Sequence, residues 1–348
     1  MEKILVGMSG GVDSSVCAAL LKQQGFTVGG VPLNLNDSFD VNNIADAKAV
    51  CDKLGIEHFS AELKTDFKQK VIDNFINEYI NGRTPNPCIV CNKYIKFGEM
   101  LDLAQKYGYH KIATGHYAQI RKDDSGRYLL CKAEDVTKDQ TYVLYCLTQE
   151  QLSKSEFPLG SLSKVQVREF AEQNKLVNAK KKDSQDICFV PNGDYASFIE
   201  RTADYISQKG DYLNRDGQKI GEHNGVIHYT IGQRKGLGIA LGKPAFVISK
   251  NAQDNTVVLG DEEFLFYKKV LVGDTNFIPF DTLENEMKVT AKLRYSQKEQ
   301  TAVIRPLENG EVLVEFDTPQ RAPSAGQAAV FYDGDIVVGG GTIIGGIE

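Results

Sequence analysis

The first half of the chain alternates between apolar runs that predict strands and apolar-polar periods that predict helices. A strand is predicted at residues 4–8, and apolar positions at helical spacing follow at residues 16–24, just before a glycine that can end the helix. Further strands are predicted at 26–31, 56–61 and 111–114, and further helices at 45–54, 67–80 and 96–107. This alternation predicts a parallel sheet covered by helices on both faces.

The pattern changes near residue 205, where glycine-rich turns begin to separate short strand-like runs. Such runs occur at 226–231, 245–249, 256–259, 288–295, 301–306, 312–316 and 328–332. After about residue 265 they predict a small antiparallel barrel or sandwich. We therefore expect an α/β protein with an N-terminal doubly wound parallel sheet (1–204), a small β-rich central domain (205–264) and a C-terminal antiparallel β-barrel (265–348).

Composition agrees with a globular protein of two or three domains. The chain has 348 residues, and no apolar run reaches the length of a membrane-spanning helix. Only three residues precede the first apolar run and glycines follow it at once, so no signal peptide is predicted and we expect a cytoplasmic location. The net charge of -6 argues against indiscriminate nucleic-acid binding, although residues 180–182 and 288–305 are locally basic.

The seven cysteines are odd in number and irregularly spaced, which does not suggest a secreted disulfide framework. We interpret four of them as buried apolar side chains: Cys17, Cys51, Cys131 and Cys146. The other three, Cys88, Cys91 and Cys188, accompany prolines or lysines. Lys93 and Lys96 follow Cys91 closely and a lysine run precedes Cys188, surroundings that can lower a thiol pKa. The prolines before Cys88 predict a loop rather than a helix around the first two thiols.

The sharpest signal is Ser-Gly-Gly-Val-Asp-Ser-Ser at residues 9–15, between the first strand and the first helix. Glycines let the backbone approach a phosphate, and the N–H groups at a helix start hold the anion. Asp13 is a candidate Mg²⁺ ligand. The Walker ending Gly-Lys-Ser/Thr is absent.

This segment resembles the PP-loop of the ATP pyrophosphatases, which cleave ATP between its α and β phosphates and adenylate a carbonyl or carboxyl oxygen. The resemblance implies a sheet like that of the adenine nucleotide alpha hydrolases, with the loop at the carboxyl ends of the strands. GMP, asparagine and argininosuccinate synthetases and tRNA thiolases share the loop, so the loop alone leaves the substrate open.

Further motifs along the chain narrow the choice among these enzyme families. In chain order, the motifs resemble those of the bacterial tRNA-specific 2-thiouridylase family over nearly the whole sequence. They lie at residues 82–93, 113–118, 138–142, 180–189, 230–238, 294–295, 326–332 and 339–341. The resemblance implies ATP-dependent replacement of the C2 oxygen of wobble uridine 34 by sulfur. It also implies ATP and Mg²⁺, the tRNAs for Lys, Glu and Gln as substrates, and a sulfur donor such as a cysteine desulfurase or sulfur-relay protein.

The resemblance also implies roles for individual residues. Cys91 would be the nucleophile and Cys188 the persulfide carrier, with Asp13 as a further catalytic residue. The ATP site would comprise Gly7, Met8, Ser9, Gly10, Gly11, Val12, Asp13, Ser14, Leu33 and Gly115. The target base would meet Asn86, Pro87 and Cys88, and other parts of the tRNA would meet His116, Lys138, Asp139, Gln140, Arg294, Tyr295 and Gln327.

Adenylation converts the C2 oxygen, a poor leaving group, into an AMP ester that leaves readily. The persulfide sulfur then forms the new C–S bond, either directly or as hydrosulfide released by attack of Cys91. Both routes leave a Cys91–Cys188 disulfide that must be reduced. The uridine has to leave its stack, which costs a few kcal/mol.

Two departures from the common family pattern leave alternatives open. Many members carry Asp where this chain has Cys88, and the Cys form resembles members proposed to hold an iron–sulfur cluster, here on Cys88, Cys91 and Cys188. The segment at residues 32–38 is shorter than is usual in the family and lacks the typical Met-Lys-Asn-Trp run, so a specialised paralogue is an open alternative. Another PP-loop ligase acting on a small molecule is the competing enzyme. A tRNA-binding protein without catalysis ranks low, because Asp13 and the cysteines are present.

Overall fold

A computed structural model describes residues 1–35, 41–181, 187–190 and 193–347, with only the backbone of Val41 and Asn42. The predicted features at residues 36–38 and 182–186 lie outside this range. The N-terminal strands are β1 Lys3–Gly7, β2 Thr27–Val31, β3 Leu33–Asn34, β4 Glu57–His58, β5 Ala61–Glu62, β6 Lys111–Ala113, β7 Gln119–Lys122, β8 Tyr128–Cys131 and β9 Ser155–Glu156. The helices are α1 Val12–Gln23, α2 Val41–Leu54, α3 (residues 64–80), α4 (residues 87–106), α5 Gln149–Ser153, α6 Lys164–Gln173 and α7 Tyr195–Thr202.

The predicted parallel sheet is confirmed. Its strand order is β4-β2-β1-β6-β9, and all its pairs are parallel. In the central strand β1, Ile4 and Val6 belong to one apolar cluster and Leu5 to another. Because side chains alternate across a strand, these two clusters cover opposite faces of the sheet. The carboxyl end of β1 leads directly into the 9–15 loop, which places that loop at the edge where ligands bind in such sheets.

Helix α4 corrects one expectation. The two prolines were expected to keep Cys88 and Cys91 in a loop, but the helix begins at Pro87 and contains both thiols. Proline is tolerated in the first turn, where its missing N–H has no helical partner. Asn86 caps this helix, since its side chain accepts a hydrogen bond from the Cys88 backbone N at 3.1 Å.

Both long helices of this domain contain π-helical turns. Helix α3 combines Lys64–Phe67, a π-helical Lys68–Ile72 and Asp73–Ile80. Helix α4 combines Pro87–Cys91, a π-helical Asn92–Glu99 and Met100–Lys106. The single strand expected at 56–61 is instead two short strands, β4 and β5, in different sheets. The four cysteines that we interpreted as buried are buried.

The central and C-terminal parts are β-rich, as predicted. The central sheet has the order β11-β10-β13-β12, formed by β10 Gly210–Leu213, β11 Lys219–His223, β12 Phe246–Asn251 and β13 Thr256–Gly260. The C-terminal strands are β14 Phe266–Phe277, β15 Met287–Lys292, β16 Gln300–Pro306, β17 Val312–Arg321, β18 Ala328–Asp333 and β19 Ile336–Ile347.

The predicted C-terminal barrel is confirmed. Its six strands are all antiparallel, and pairing between β14 and β19 closes it. The hairpin β7–β8 joins the same sheet through the pair Ile336–Cys131. The barrel is therefore hydrogen-bonded to the N-terminal domain.

Candidate active site

The loop at residues 9–15, which we call the PP-loop, is organised by its own hydroxyl groups. The Ser14 hydroxyl accepts from the Ser9 backbone N at 3.2 Å and donates to the Gly11 carbonyl at 3.2 Å. Ser15 donates to the same carbonyl at 2.9 Å. Gly10 has φ +71°, a conformation suited to glycine. Helix α1 starts after Gly11, which has no side chain to cap it, so the first-turn N–H groups can bind a phosphate.

Asp13 is held by two side chains from outside the PP-loop. The Lys164 ammonium lies 2.7 and 2.8 Å from its two carboxylate oxygens, and the Tyr117 hydroxyl donates to one of them at 2.9 Å. Lys164 is 9% exposed, so the lysine of this ion pair is shielded from water, whereas the Asp13 side chain stays partly exposed. The carboxylate suits Mg²⁺ by its chemistry, yet in this structure both oxygens already accept from a cation.

Gly115 lies against the PP-loop. A Cβ at this position would come within 2.8 Å of the Asp13 carbonyl carbon and the Ser14 backbone N. Only glycine permits this approach without displacing backbone atoms. Leu33, which was expected at the ATP site from a different strand, is 8% exposed and pairs with Ala61 in a two-stranded sheet beside the end of β2.

Two residues just before the Cys188 segment tie down the back of the PP-loop. The Asn178 amide donates to the Gly10 and Gly11 carbonyls at 3.1 and 3.0 Å. Lys181 donates to the Gly10 carbonyl at 3.2 Å and to Asp46 at 2.7 Å. The chain leading to the predicted persulfide carrier is therefore anchored on the predicted ATP loop.

Three cysteines, Cys88, Cys91 and Cys188, form a cluster that we call the thiol cluster. Cys91 is 7% exposed, whereas the other two reach the surface. The pKa of Cys91 is raised from 9.0 to about 12, chiefly by burial and to a smaller extent by the charges of Cys188 and Cys88. Although Cys188 reaches the surface, its neighbours partly desolvate the thiol, and this desolvation, followed by the charge of Cys88, raises its pKa. This mutual influence shows that the three thiols share one neighbourhood.

Lys96 is the cation of the thiol cluster. Its charge opposes burial by lowering the pKa of Cys88, Cys91 and Cys188 alike. Lys93 acts elsewhere: its ammonium lies 5.2 Å from the Tyr94 ring centroid, and its charge lowers the pKa of the buried Cys146. Both lysines were expected near the thiols. Among the pKa shifts of the described residues, Lys96 affects those of the thiol cluster and Lys93 does not.

His116 connects the thiol cluster to the PP-loop. It follows Gly115 in the chain, and its Nδ1 lies 2.7 Å from the Thr114 hydroxyl. Burial, followed by the charge of Lys96, lowers its pKa well below 6.5, so the ring is neutral at pH 7. Gly115 thus contacts the PP-loop at Asp13 and Ser14, and the next residue, His116, lies near Lys96 of the thiol cluster.

Apart from His116, the residues expected to contact parts of the tRNA other than the target base lie in two groups. In the first group, Gln140 accepts from the Tyr117 backbone N at 3.0 Å. Asp139 accepts from the Thr141 hydroxyl at 2.6 Å and from the Ala133 backbone N at 3.0 Å. Lys138 is half-buried in the preceding turn. The Tyr295 hydroxyl reaches this group from the barrel, donating to the Asp139 carbonyl at 3.2 Å. Burial raises the Tyr295 pKa, and the charges of Asp139 and Cys88 raise it further.

The second group links the barrel to the approach to α4. Gln327 donates to the Thr84 carbonyl at 2.8 Å, and the Thr84 backbone N donates to the Ala325 carbonyl at 2.8 Å. Arg294 donates to the Ala322 carbonyl and the Ser324 hydroxyl at 3.0 Å each. The barrel therefore holds residues 83–85 directly before the Asn86–Cys88 segment that was expected to meet the base.

Comparison with known proteins places this arrangement in a family. Three family models match in succession: the tRNA methyl transferase HUP domain at 2–192, the tRNA methyl transferase PRC-barrel domain at 197–261 and the aminomethyltransferase beta-barrel domain at 267–343. The chain is 52% identical over 355 residues to tRNA-specific 2-thiouridylase MnmA 1 of Thermoanaerobacter sp. strain X514, covering 98% of both chains. This chain belongs to the tRNA-specific 2-thiouridylase family.

A second relative supports the same family membership. The tRNA-specific 2-thiouridylase MnmA of Clostridioides difficile strain 630 is 48% identical over 353 residues, again with 98% of both chains covered. Among solved structures, the U34-tRNA thiolase NcsA from Methanococcus maripaludis with its [4Fe-4S] cluster has a TM-score of 0.35 and 20% identity, covering 58% of this chain and 66% of that one. A likeness this low carries no argument about function. No helix in the described ranges is long and apolar enough to span a bilayer.

Within this member of the family, sequence reasoning missed Lys164, Tyr117 and Asn178. Lys164 lies 151 residues from Asp13 in the chain, and no local motif relates the two. For Lys164, the available signal was its position as the first residue of a helix, where a positive charge is disfavoured and so indicates a role outside the helix.

Proposed function

We propose that this chain is a tRNA-uridine 2-sulfurtransferase that adenylates the C2 oxygen of wobble uridine 34 and replaces it with sulfur. The observation that supports this most directly is the link between the PP-loop and the thiol cluster. Gly115 contacts Asp13 and Ser14 of the loop, and the next residue, His116, lies within the field of Lys96, whose charge acts on all three thiols. Family membership supplies tRNA as the substrate.

The first chemical step uses the PP-loop. The backbone N–H groups at the start of α1 bind phosphate oxygens, which positions the α-phosphorus for attack by the C2 oxygen. The O–P bond to the base forms as the bond to pyrophosphate breaks. A magnesium ion would neutralise charge on the departing pyrophosphate, and Asp13 is the carboxylate that would hold it.

The second step uses the thiols. A donor protein first transfers sulfur to Cys188 as a persulfide. The terminal sulfur attacks C2 and AMP departs with the original oxygen, which leaves the base joined to Cys188 through two sulfurs. Cys91 then attacks the Cys188 sulfur, which releases the thiolated base and forms a Cys91–Cys188 disulfide. In the parallel route, Cys91 attacks the persulfide first and the released hydrosulfide attacks C2. A two-electron reductant restores both thiols.

The exposure of the two thiols fits these roles. Cys188 is exposed and can meet a donor protein, whereas Cys91 is buried within the apolar cluster under the sheet. Its raised pKa keeps it protonated and unreactive until tRNA changes its surroundings. The sulfur donor, the reductant and the tRNAs for Lys, Glu and Gln remain family-based expectations for this chain, as do a cytoplasmic location and the domain limits 1–204, 205–264 and 265–348.

An iron–sulfur version of the same reaction would use Cys88 as a third ligand. Thiolates are suitable donors for such a cluster, and these three share one neighbourhood. As positioned, however, no three Cys, His, Asp or Glu side chains in the described ranges are spaced to hold a metal. No step of the proposed reaction passes through a cluster. Iron and acid-labile sulfide analysis of anaerobically purified protein tests this version, and stoichiometric iron required for activity would establish it.

The proposed function is tested by single-turnover thiolation. Unmodified tRNA, ATP and a persulfide donor are mixed with the enzyme, and 2-thiouridine is measured by mass spectrometry of nucleosides. Cys91→Ser and Cys188→Ser should each abolish 2-thiouridine while tRNA binding stays within a few-fold. Cys131→Ala, which changes a buried cysteine in β8, is the matched control and should retain activity. Full 2-thiouridine formation by both site variants would refute the proposal.

A further inference from the structure

Lys164 occupies a position that the reaction described above does not yet explain. Its ammonium bridges both oxygens of Asp13 at 2.7 and 2.8 Å and lies 5.8 Å from the ring centroid of Tyr117. The side chain is almost completely buried at the side of the PP-loop, whereas the Asp13 side chain retains 31% exposure. The cation is therefore directed toward the open side of the loop, where Asp13 lies.

The local structure holds Lys164 there against an electrostatic preference. It is the first residue of α6, and a positive charge is disfavoured at a helix N-terminus. The helix start is nonetheless firmly defined, because Ser163 and Gln166 form a reciprocal capping box. The Lys164 backbone N donates to Asp135 at 3.0 Å, which fixes the residue further. A buried cation kept at an unfavourable helix position indicates a requirement outside the helix itself.

The PP-loop has such a requirement. Residues 8–15 read Met-Ser-Gly-Gly-Val-Asp-Ser-Ser, which contains no cationic side chain, unlike a Walker loop with its lysine. Their one charged group, Asp13, is negative and would repel a polyphosphate. Lys181 also contacts the loop, but through the Gly10 carbonyl, with its charge paired to Asp46 at 2.7 Å.

We propose that Lys164 is the phosphate-binding cation of the ATP site, supplied from α6, and that Asp13 holds it at the mouth of the loop until ATP binds. This inference rests on the proposed function, because it assumes that the PP-loop binds ATP. Neutralising Asp13 in the free protein removes the repulsion that the carboxylate would exert on the incoming triphosphate. When ATP is bound, the ammonium donates to a phosphate oxygen in a charge-assisted hydrogen bond. Lys164 then plays the part that a Walker lysine plays in the P-loop enzymes.

The test compares ATP and adenosine binding by calorimetry with the full-length chain and no tRNA. Lys164→Met should weaken ATP binding by ~10- to 100-fold, the usual effect of losing a hydrogen bond to a charged group. Adenosine binding should change less than twofold, because adenosine has no phosphate. Lys164→Arg, which keeps the charge, should recover most of the ATP affinity. Lys181→Met is the matched control: any loss should be equal for ATP and adenosine, because this lysine supports the loop backbone.

Two outcomes separate this inference from the proposed function. If the unaltered protein does not bind ATP, the proposed function fails. If it binds ATP but Lys164→Met binds ATP equally well, or loses ATP and adenosine alike, the assignment of Lys164 fails alone. A second measurement covers a variant that does not fold: acylation of Lys164 in the unaltered protein, followed by mass spectrometry. ATP should slow this acylation and adenosine should not, and equal rates with both would overturn the assignment.

Discussion

The raised pKa of Cys91 allows a quantitative prediction about its reactivity. A pKa of about 12 in place of 9.0 leaves roughly a thousandfold less thiolate at pH 7–8. A more basic thiolate is also more nucleophilic, by about 20-fold for three pKa units at a Brønsted slope of 0.4–0.5. We therefore expect Cys91 in the free enzyme to react with iodoacetamide about 50-fold more slowly than an ordinary thiol, even before its restricted access is considered.

Lys96→Met is the perturbation that tests the electrostatic part. Removing the cation that lowers the Cys91 pKa should slow alkylation of Cys91 further, by about threefold for each unit of pKa rise, because greater nucleophilicity offsets part of the tenfold loss of thiolate. Lys93→Met is the control, because Lys93 acts on Cys146 instead. The assay is alkylation at pH 7 to 10.5, quenched at intervals and read by peptide mass spectrometry, so that each cysteine is followed separately.

The pH dependence of the alkylation rate distinguishes a raised pKa from restricted access. Restricted access lowers the rate at every pH without changing how steeply the rate rises with pH. The Cys91 rate should rise about tenfold per pH unit across the whole range. A plateau near pH 9 would refute the raised pKa. Equal effects of Lys93→Met and Lys96→Met on Cys91 would refute the assignment of Lys96 as the cation of the thiol cluster.

Three further predictions concern the surroundings of the site. The His116 pKa lies well below 6.5 in the folded protein, so below pH 6.5 unfolding takes up a proton. The free energy of unfolding should therefore fall by up to about 1.4 kcal/mol for each unit by which the pH decreases. Urea unfolding at several pH values should show this slope, and His116→Phe should flatten it. Gly115→Ala forces a 2.8 Å contact with Asp13 and should weaken ATP binding ~10-fold by calorimetry, whereas Gly345→Ala, which meets nothing within 4 Å, should not. Gln327→Ala removes a donor to Thr84 and should weaken tRNA binding several-fold in a filter assay, with ATP affinity unchanged. The first expectation would be contradicted if His116→Phe left the pH slope unchanged. The second would be contradicted if Gly115→Ala and Gly345→Ala bound ATP equally well, and the third if Gln327→Ala lost ATP binding.

The fold was predictable because its signals are local. Apolar runs ending at glycines indicated β1 and α1, and the change of pattern near residue 205 indicated the β-rich half. Strands β14 and β19 were not predicted, although they close the barrel, because β19 is rich in glycine and lacks the usual alternation. The hairpin β7–β8 was also missed, although its strands pair locally. Its link to the barrel, at Ile336 opposite Cys131, joins residues 205 apart and has no local signal.

The site was predictable only where a motif is contiguous. Residues 9–15 and the thiols at 88 and 91 stand in short motifs, so their chemistry could be inferred before the fold was known. The contacts that orient them, Lys164 to Asp13 and Asn178 to Gly10, join distant parts of the chain and depend on tertiary packing. The error about the two prolines had a local cause: Pro87 was weighed as a helix breaker, although the first turn of a helix accepts it.

The π-helical segment of α4 explains why Lys96, rather than Lys93, serves the thiol cluster. In a regular α-helix, with 3.6 residues per turn, Lys96 would lie about 140° around the axis from Cys91, five residues earlier. Asn92–Glu99 is instead π-helical, with hydrogen bonds from i to i+5, which brings residues five apart toward one face. Lys96 therefore lies closer to the Cys91 face of the helix than the regular period allows. A helical wheel at the usual period would assign it to another face, so its electrostatic influence on Cys91 arises from a local departure from regular helix geometry.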